Sequence, residues 1–157
     1  MKTLVVFYSR HGHAKSIGEA IAKTLGSDIE SLEDTKDRGH LISWFKSAFD
    51  EELRTPTKIK PLKFSPKEYD LVVIGTPVWD GIVPPVHEYL NLNKNKFKKV
   101  AFFATFGAAP ENAFYIMGKI IGKNPIATLE VQDRQIALGE HKAKINEFCK
   151  KIKKNLK

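Results

Sequence analysis

Apolar residues follow two rhythms along this chain. Short, nearly unbroken runs end in small polar loops: Leu4 to Tyr8, Tyr69 to Gly75, and Val100 to Thr105, rich in valine, isoleucine and phenylalanine. Runs of this kind mark strands covered on both faces. Between them the apolar positions recur three and four residues apart, as in Ile17, Ile21 and Leu25, or Ile145, Phe148, Ile152 and Leu156. That spacing places one covered stripe on a helix. The pattern predicts strands over residues 3–8, 28–33, 69–75, 99–105 and 126–131. It predicts helices over residues 13–25, 40–53, 85–92, 111–121 and 140–156. In the second of these, Leu41, Ile42, Phe45 and Phe49 form the stripe, with Trp44 beside it.

The punctuation agrees. Gly26 stands where a helix needs a left-handed C-terminal residue, and Pro85 falls in a first helical turn, where no N–H is missed. Segment 28–33 mixes Ile29 and Leu32 with acids, as an edge strand would. Residues 54–67 carry Pro56, Pro61 and Pro66 and read as a surface connection with a short extended piece near Ile59. Residues 76–84 and 106–110 read as loops. No repeat or low-complexity tract interrupts the alternation. Strand–helix alternation with continuously apolar strands predicts an α/β fold: a doubly wound parallel sheet with helices on both faces. Three loops, residues 9–14, 76–81 and 106–111, then leave strand ends on one edge, where such sheets bind ligands.

At 157 residues, 42% of them hydrophobic, the chain is expected to form a single domain over 1–157. Its single cysteine, Cys149, excludes an intrachain disulfide. The first strand begins at once, without the layout of a secretory leader. No apolar run approaches the roughly 20 residues that cross a bilayer. The expectation is a cytoplasmic protein with no membrane span. The net charge of +8 is concentrated in Lys94, Lys96, Lys98 and Lys99, and in Lys150, Lys151, Lys153, Lys154 and Lys157. These lysines are not interleaved with aromatics or arginines, so nucleic-acid binding is not expected. A solvated surface is the plainer reading of them.

The first loop, Ser9-Arg10-His11-Gly12-His13-Ala14, joins a buried strand to a helix. Such a junction aims several N–H groups and the positive end of the helix dipole at one spot, which suits a phosphate. His11 and His13 have no third ligand nearby in sequence, and no metal site is expected. The second loop, Thr76-Pro77-Val78-Trp79-Asp80-Gly81, holds an indole between proline and glycine, suited to stacking on a flat ring. The third, Thr105-Phe106-Gly107-Ala108-Ala109, brings backbone groups close because its side chains are small. An ordinary turn and an indole folded onto the core are the alternatives, but the loops agree with one another. A phosphate at one end and a planar ring between two walls describe a mononucleotide. Neither G-x-G-x-x-G nor G-x-x-x-x-G-K-[ST] occurs, which argues against dinucleotides and nucleoside triphosphates.

These loops resemble those of the short-chain flavodoxin and flavodoxin-like family, and the resemblance runs through nearly the whole chain. It implies a five-stranded sheet in the order 2-1-3-4-5, with FMN bound non-covalently. By position, Ser9, Arg10, His11, Gly12, His13 and Ala14 match the family's phosphate loop. Thr76, Pro77, Val78, Trp79, Asp80 and Gly81 match one wall of the isoalloxazine site, and Thr105, Phe106 and Gly107 the other. The family's phosphate loop commonly reads Ser/Thr-x-Thr-Gly-Asn-Thr. Here His11, His13 and Ala14 stand in place of the second hydroxyl residue, the Asn and the last Thr, so two hydroxyl donors are absent. Protonated histidines would meet the phosphate dianion with positive charge instead, and binding would weaken as pH rises.

The resemblance further implies an electron carrier shuttling low-potential electrons, with no catalytic side chain required. An FMN-dependent NAD(P)H:quinone-type oxidoreductase on the same fold is the alternative. A flavin-binding interaction protein is a third reading. Electron-carrying members of the family are usually acidic, whereas this chain is basic, which implies redox partners with acidic faces. It also implies a less negative couple for the last reduction step, with Asp80 as a local opposing charge.

Overall fold

The computed structural model describes residues 1–35 and 58–157. The helix expected over 40–53 and part of the connection expected over 54–67 lie outside the described residues. Five strands, β1 (Thr3–Phe7), β2 (Asp28–Ser31), β3 (Leu71–Val78), β4 (Lys99–Phe106) and β5 (Thr128–Gln132), form one sheet in the order β2-β1-β3-β4-β5. Every neighbouring pair is parallel. The described helices are α1 (His13–Leu25), α2 (Pro84–Asn93), α3 (Ala113–Ile121), the short α4 (Asp133–Ala137) and α5 (His141–Asn155).

Side chains alternate along each strand, and this divides the core in two. Val5 and Phe7 of β1, Leu71 and Val73 of β3, and Ala101 and Phe103 of β4 face one side, packed with Ile17 and Ile21 of α1 and Ile145, Phe148 and Ile152 of α5. Leu4, Val6, Val72, Ile74, Val100 and Phe102 face the other side, against Val86, Tyr89 and Leu90 of α2 and Met117 and Ile121 of α3. Both faces of the central strands are covered, so their residues can be apolar without a break.

Two glycines mark where the layers approach most closely. A Cβ on Gly75 would come within 1.9 Å of Phe103 Cζ, and one on Gly18 within 2.3 Å of Phe7 Cδ1. Gly75 pairs with Phe7 on one side and Phe103 on the other, so its missing side chain is the space into which Phe103 lies. Across the edge, Glu30 of β2 is 4% exposed. Its carboxylate accepts the N–H groups of Lys63 (2.7 Å) and Phe64 (3.0 Å), fastening the connection that leads into β3. Ile59 does form a short extended contact, an antiparallel bridge to Asp34.

Within the described residues, the predicted strands and helices recur with shifted ends. β3 runs on to Val78, so Thr76, Pro77 and Val78 are strand rather than loop. A proline inside a central strand would normally cost a ladder hydrogen bond. However, β1 stops at Phe7, opposite Gly75, so beyond that point β3 pairs with β4 alone. Pro77 therefore occupies an edge-like position. The helix expected from residue 111 starts at Ala113, and α4 was not foreseen. α5 runs back along the sheet: Asn155 Nδ2, near its end, donates to the carbonyl of Ile126, just before β5. Among the described residues no helix is long and apolar enough to cross a membrane.

Candidate functional site

The strand order sends the chain from β1 outward to β2 on one side and, later, from β3 outward to β4 and β5 on the other. The crevice where the winding reverses lies between the ends of β1 and β3. A cleft of about 110 Å³, partly open to solvent, is found there. It is lined by Ser9, Arg10, His11, His13, Ala14, Pro77, Val78, Trp79, Thr105, Phe106, Gly107 and Asp133. The structure thus brings all three predicted loops together.

The first loop is built for close approach. Gly12 adopts φ 89°, a left-handed conformation that a side chain would strain. Its N–H donates to Ser9 Oγ at 3.1 Å, which closes the loop before α1 starts at His13. No side chain among the described residues caps that helix. Its first-turn N–H groups and dipole are therefore left to an outside acceptor, next to the Ser9 hydroxyl and two imidazoles. This donor set fits a phosphomonoester.

The second loop is short and braced. Val78 and Ile82 bridge antiparallel, and Gly81 takes φ 92° between them. Thr76 is fully buried; its hydroxyl donates to the Pro77 carbonyl at 2.8 Å and accepts the Val83 N–H at 3.5 Å. Trp79 projects from this tight turn and is 42% exposed, so it is not folded back onto the core. The Tyr8 ring meets it edge-on at 6.4 Å, and the Arg10 guanidinium lies 5.6 Å from its ring centroid. A half-exposed indole at the mouth of a cleft offers a flat apolar wall.

Four of the residues expected to hold a ligand, Gly12, Thr76, Asp80 and Gly81, do not line the cleft. Gly12 and Gly81 supply the turns, and Thr76 braces the second loop from within. In the third loop, the carbonyl of Gly107 accepts a hydrogen bond from Gln132 Nε2 at 2.9 Å, which ties that loop to the start of α4. Asp133 lines the cleft and was missed. It opens α4 directly after β5, and its Oδ1 lies 3.0 Å from His13 Nδ1. The signal was available: Asp133 follows a strand end on the same edge as the other loops.

Charge at the cleft differs from that of the whole chain. Lys94, Lys96 and Lys98 precede β4 and Lys99 opens it, and the lysines at 150–157 fall in the last part of α5 and just beyond it, near the start of β5. Both clusters sit at the edge away from the cleft. β4 spans eight residues, or about 26 Å at roughly 3.3 Å per residue. Exposed charges that far apart are largely screened, because the Debye length is about 8 Å at physiological salt. Among the described residues, Arg10, His11, His13 and Asp133 are the charged or titratable ones lining the cleft.

No protein-family model matches the sequence, and no curated protein matches it. Solved structures do match. A flavoprotein from Lactobacillus acidophilus NCFM, solved in complex with FMN, is 23% identical with a TM-score of 0.68, the match covering 87% of this chain and 97% of that one. Oxidised flavodoxin 2 from Bacillus cereus is 19% identical, with a TM-score of 0.57 over 96% of this chain and 99% of that one. An NADH:FMN oxidoreductase in its apo form is 15% identical, with a TM-score of 0.60 over 99% of this chain and 89% of that one. Together with the strand order and the cleft at the β1–β3 switch, these likenesses establish that the chain has the flavodoxin-like fold.

Proposed function

We propose that the protein binds FMN in this cleft and carries electrons between redox partners. The observation that carries the reading is the pairing of an uncapped helix N-terminus with a half-exposed indole across one cleft. On this reading Ser9 and the first turn of α1 hold the phosphate, with the two histidines beside it. Trp79 covers one face of the ring system, and Thr105, Phe106 and Gly107 bound the other. FMN, when bound, supplies one- and two-electron chemistry through its ring system. The protein's own residues bind it, orient it and exclude water from part of its surface. The Lactobacillus acidophilus protein, solved with FMN, supports the choice of ligand.

The partners we propose are redox proteins with acidic faces. Arg10 is a permanent positive charge at the cleft itself, and the lysine clusters of a chain with net charge +8 add to the attraction only at low ionic strength, where screening is weak. Electron-transfer rates with such a partner should fall as ionic strength rises.

Purified protein reconstituted with FMN should be yellow and should take up electrons in two separable steps in a redox titration. Adding NADH or NADPH without a separate reductase should leave the colour unchanged over minutes. Rapid bleaching would assign the protein to the oxidoreductase alternative. A colourless protein that takes up no FMN would overturn the reading altogether.

A further inference from the structure

The two lysine clusters share the edge away from the cleft, and the topology puts them there. In a parallel sheet the strands start, and the helices between them end, on one side. Lys23 closes α1, and Lys153 and Lys154 close α5. Lys94, Lys96 and Lys99 fall where α2 gives way to β4. α1 and α5 cover one face of the sheet and α2 the other, so these charges come from both helical layers. They also spread across the sheet, which measures about 19 Å from β2 to β5 at roughly 4.8 Å per strand. We propose that this edge docks onto an anionic lipid surface. The inference does not depend on the FMN reading. Docked in this way, the cleft faces away from the lipid.

The charge is not neutralised within the protein. The acids beside the strand starts are already engaged. Asp70 accepts the Lys2 backbone N–H at 2.9 Å and lies 3.5 Å from Lys98 Nζ. Glu68 lies 4.0 Å from Lys2 Nζ, and Asp28 accepts the Tyr69 hydroxyl at 2.7 Å. Lys23, Lys94, Lys96, Lys99, Lys153 and Lys154 have no ion-pair partner among the described residues. Helix C-termini draw cations by themselves, which accounts for Lys23, Lys153 and Lys154. It does not account for Lys96 and Lys99, which lie beyond α2, a helix with no basic residue in its last turn.

The kind of anion follows from the side chains. Among the described residues both arginines, Arg10 and Arg134, lie at the cleft edge. The planar fork of arginine grips a carboxylate in fixed geometry, whereas lysine acts as a mobile point charge. Point charges spread over a plane suit a plane of lipid phosphates, where each lysine is worth roughly fivefold in partitioning. Leu92, one residue before the end of α2 and two before Lys94, is 55% exposed. An apolar side chain amid lysines adds buried area at headgroup depth, the combination by which peripheral proteins hold a lipid surface.

The test is co-sedimentation of the full chain with vesicles at about 0.1 M salt, where the Debye length is about 10 Å. Vesicles of phosphatidylcholine with about 40% phosphatidylglycerol should bind the protein at least about a hundredfold better than phosphatidylcholine alone, and high salt should release it. Lys94→Gln with Lys99→Gln should weaken binding about 25-fold. Lys58→Gln with Lys142→Gln removes the same charge from the other edge, beyond the end of β2 and at the start of α5, and should weaken binding by less than about threefold. Leu92→Ser should weaken it about fivefold, for the apolar area no longer covered. All five positions are exposed, so the variants should fold. No preference for the anionic vesicles, or equal loss in the two double variants, overturns the proposal. Binding to polyglutamate or duplex DNA at the same salt, with none to the anionic vesicles, also overturns it and gives the face to an acidic protein or a nucleic acid. Unchanged binding in Leu92→Ser overturns the part given to the apolar side chain.

Discussion

Replacing Trp79 by alanine removes the wall on which the ring system is expected to lie. The indole is 42% exposed. Of the roughly 250 Å² a tryptophan can bury, that leaves about 100 Å² open, and a flat ligand covers one of two faces, about 50 Å². At about 25 cal/mol per Å² the covered face is worth about 1.3 kcal/mol, or nearly tenfold in Kd. Alanine substitutions at nucleobase-stacking aromatics fall in the same range, about 1–3 kcal/mol per ring. The substitution also removes the contacts that Arg10 and Tyr8 make with the indole. Fluorescence titration should therefore show FMN and riboflavin weakened by the same factor of about ten, because the phosphate is held elsewhere. Urea unfolding of the ligand-free protein should change little. An unchanged Kd for both flavins would refute the stacking role, and weakening of FMN alone would show that the indole acts through the phosphate end.

Gly75→Ala should destabilise the fold by about 3 kcal/mol, the upper end of overpacking costs. The new Cβ would meet three atoms of the buried Phe103 ring at 1.9 to 2.4 Å; Phe103→Leu in the same chain should recover part of the loss in urea melts. Glu30→Ala should cost about 2 kcal/mol by leaving the Lys63 and Phe64 N–H groups without their charged acceptor. Glu30→Gln, which retains an oxygen there, should cost clearly less, and equal losses would refute the hydrogen-bond account. Burial pushes the Cys149 thiol up to about 11, with Lys153 pulling slightly the other way, so at pH 8 only about one molecule in a thousand carries the thiolate. Iodoacetamide should leave Cys149 unmodified in the folded protein and label it in urea, as read by mass spectrometry. Because this acid's titration is raised by folding, its contribution to stability is complete below the ordinary thiol range and fades as pH climbs toward 11.

Most of the architecture could be read directly from the chain, and the reason is local. A strand buried on both faces has to be apolar at every position, so Leu4 to Phe7 and Leu71 to Ile74 announce themselves without reference to anything distant. The stripe of Ile145, Phe148 and Ile152 is likewise a property of one helix. A glycine at a helix end shows through as well: Gly26 takes the left-handed backbone that its position required. The three loops belong to one edge because parallel strands all end on the same side. The end of β3 was misread because proline usually breaks a central strand. Pro77 is tolerated only because β1 has already stopped at Phe7.

The remaining features depend on what lies across a gap, which no local pattern encodes. Thr76 looked like a ligand contact and is an internal brace, since whether a hydroxyl points inward is set by Pro77 and Val83 beside it. Asp133 carried no motif, and its place beside His13 exists because β5 ends and α1 begins at the same edge. The charge was legible as a sum but not as a field: +8 is a property of composition. The length of the strands, several screening lengths, is what separates the lysines from the cleft. Sequence periodicity reports which residues are covered, because burial is decided one side chain at a time. Folding decides which covered and uncovered groups meet, because contact distance falls off over a few ångströms and the chain brings those groups together from positions far apart.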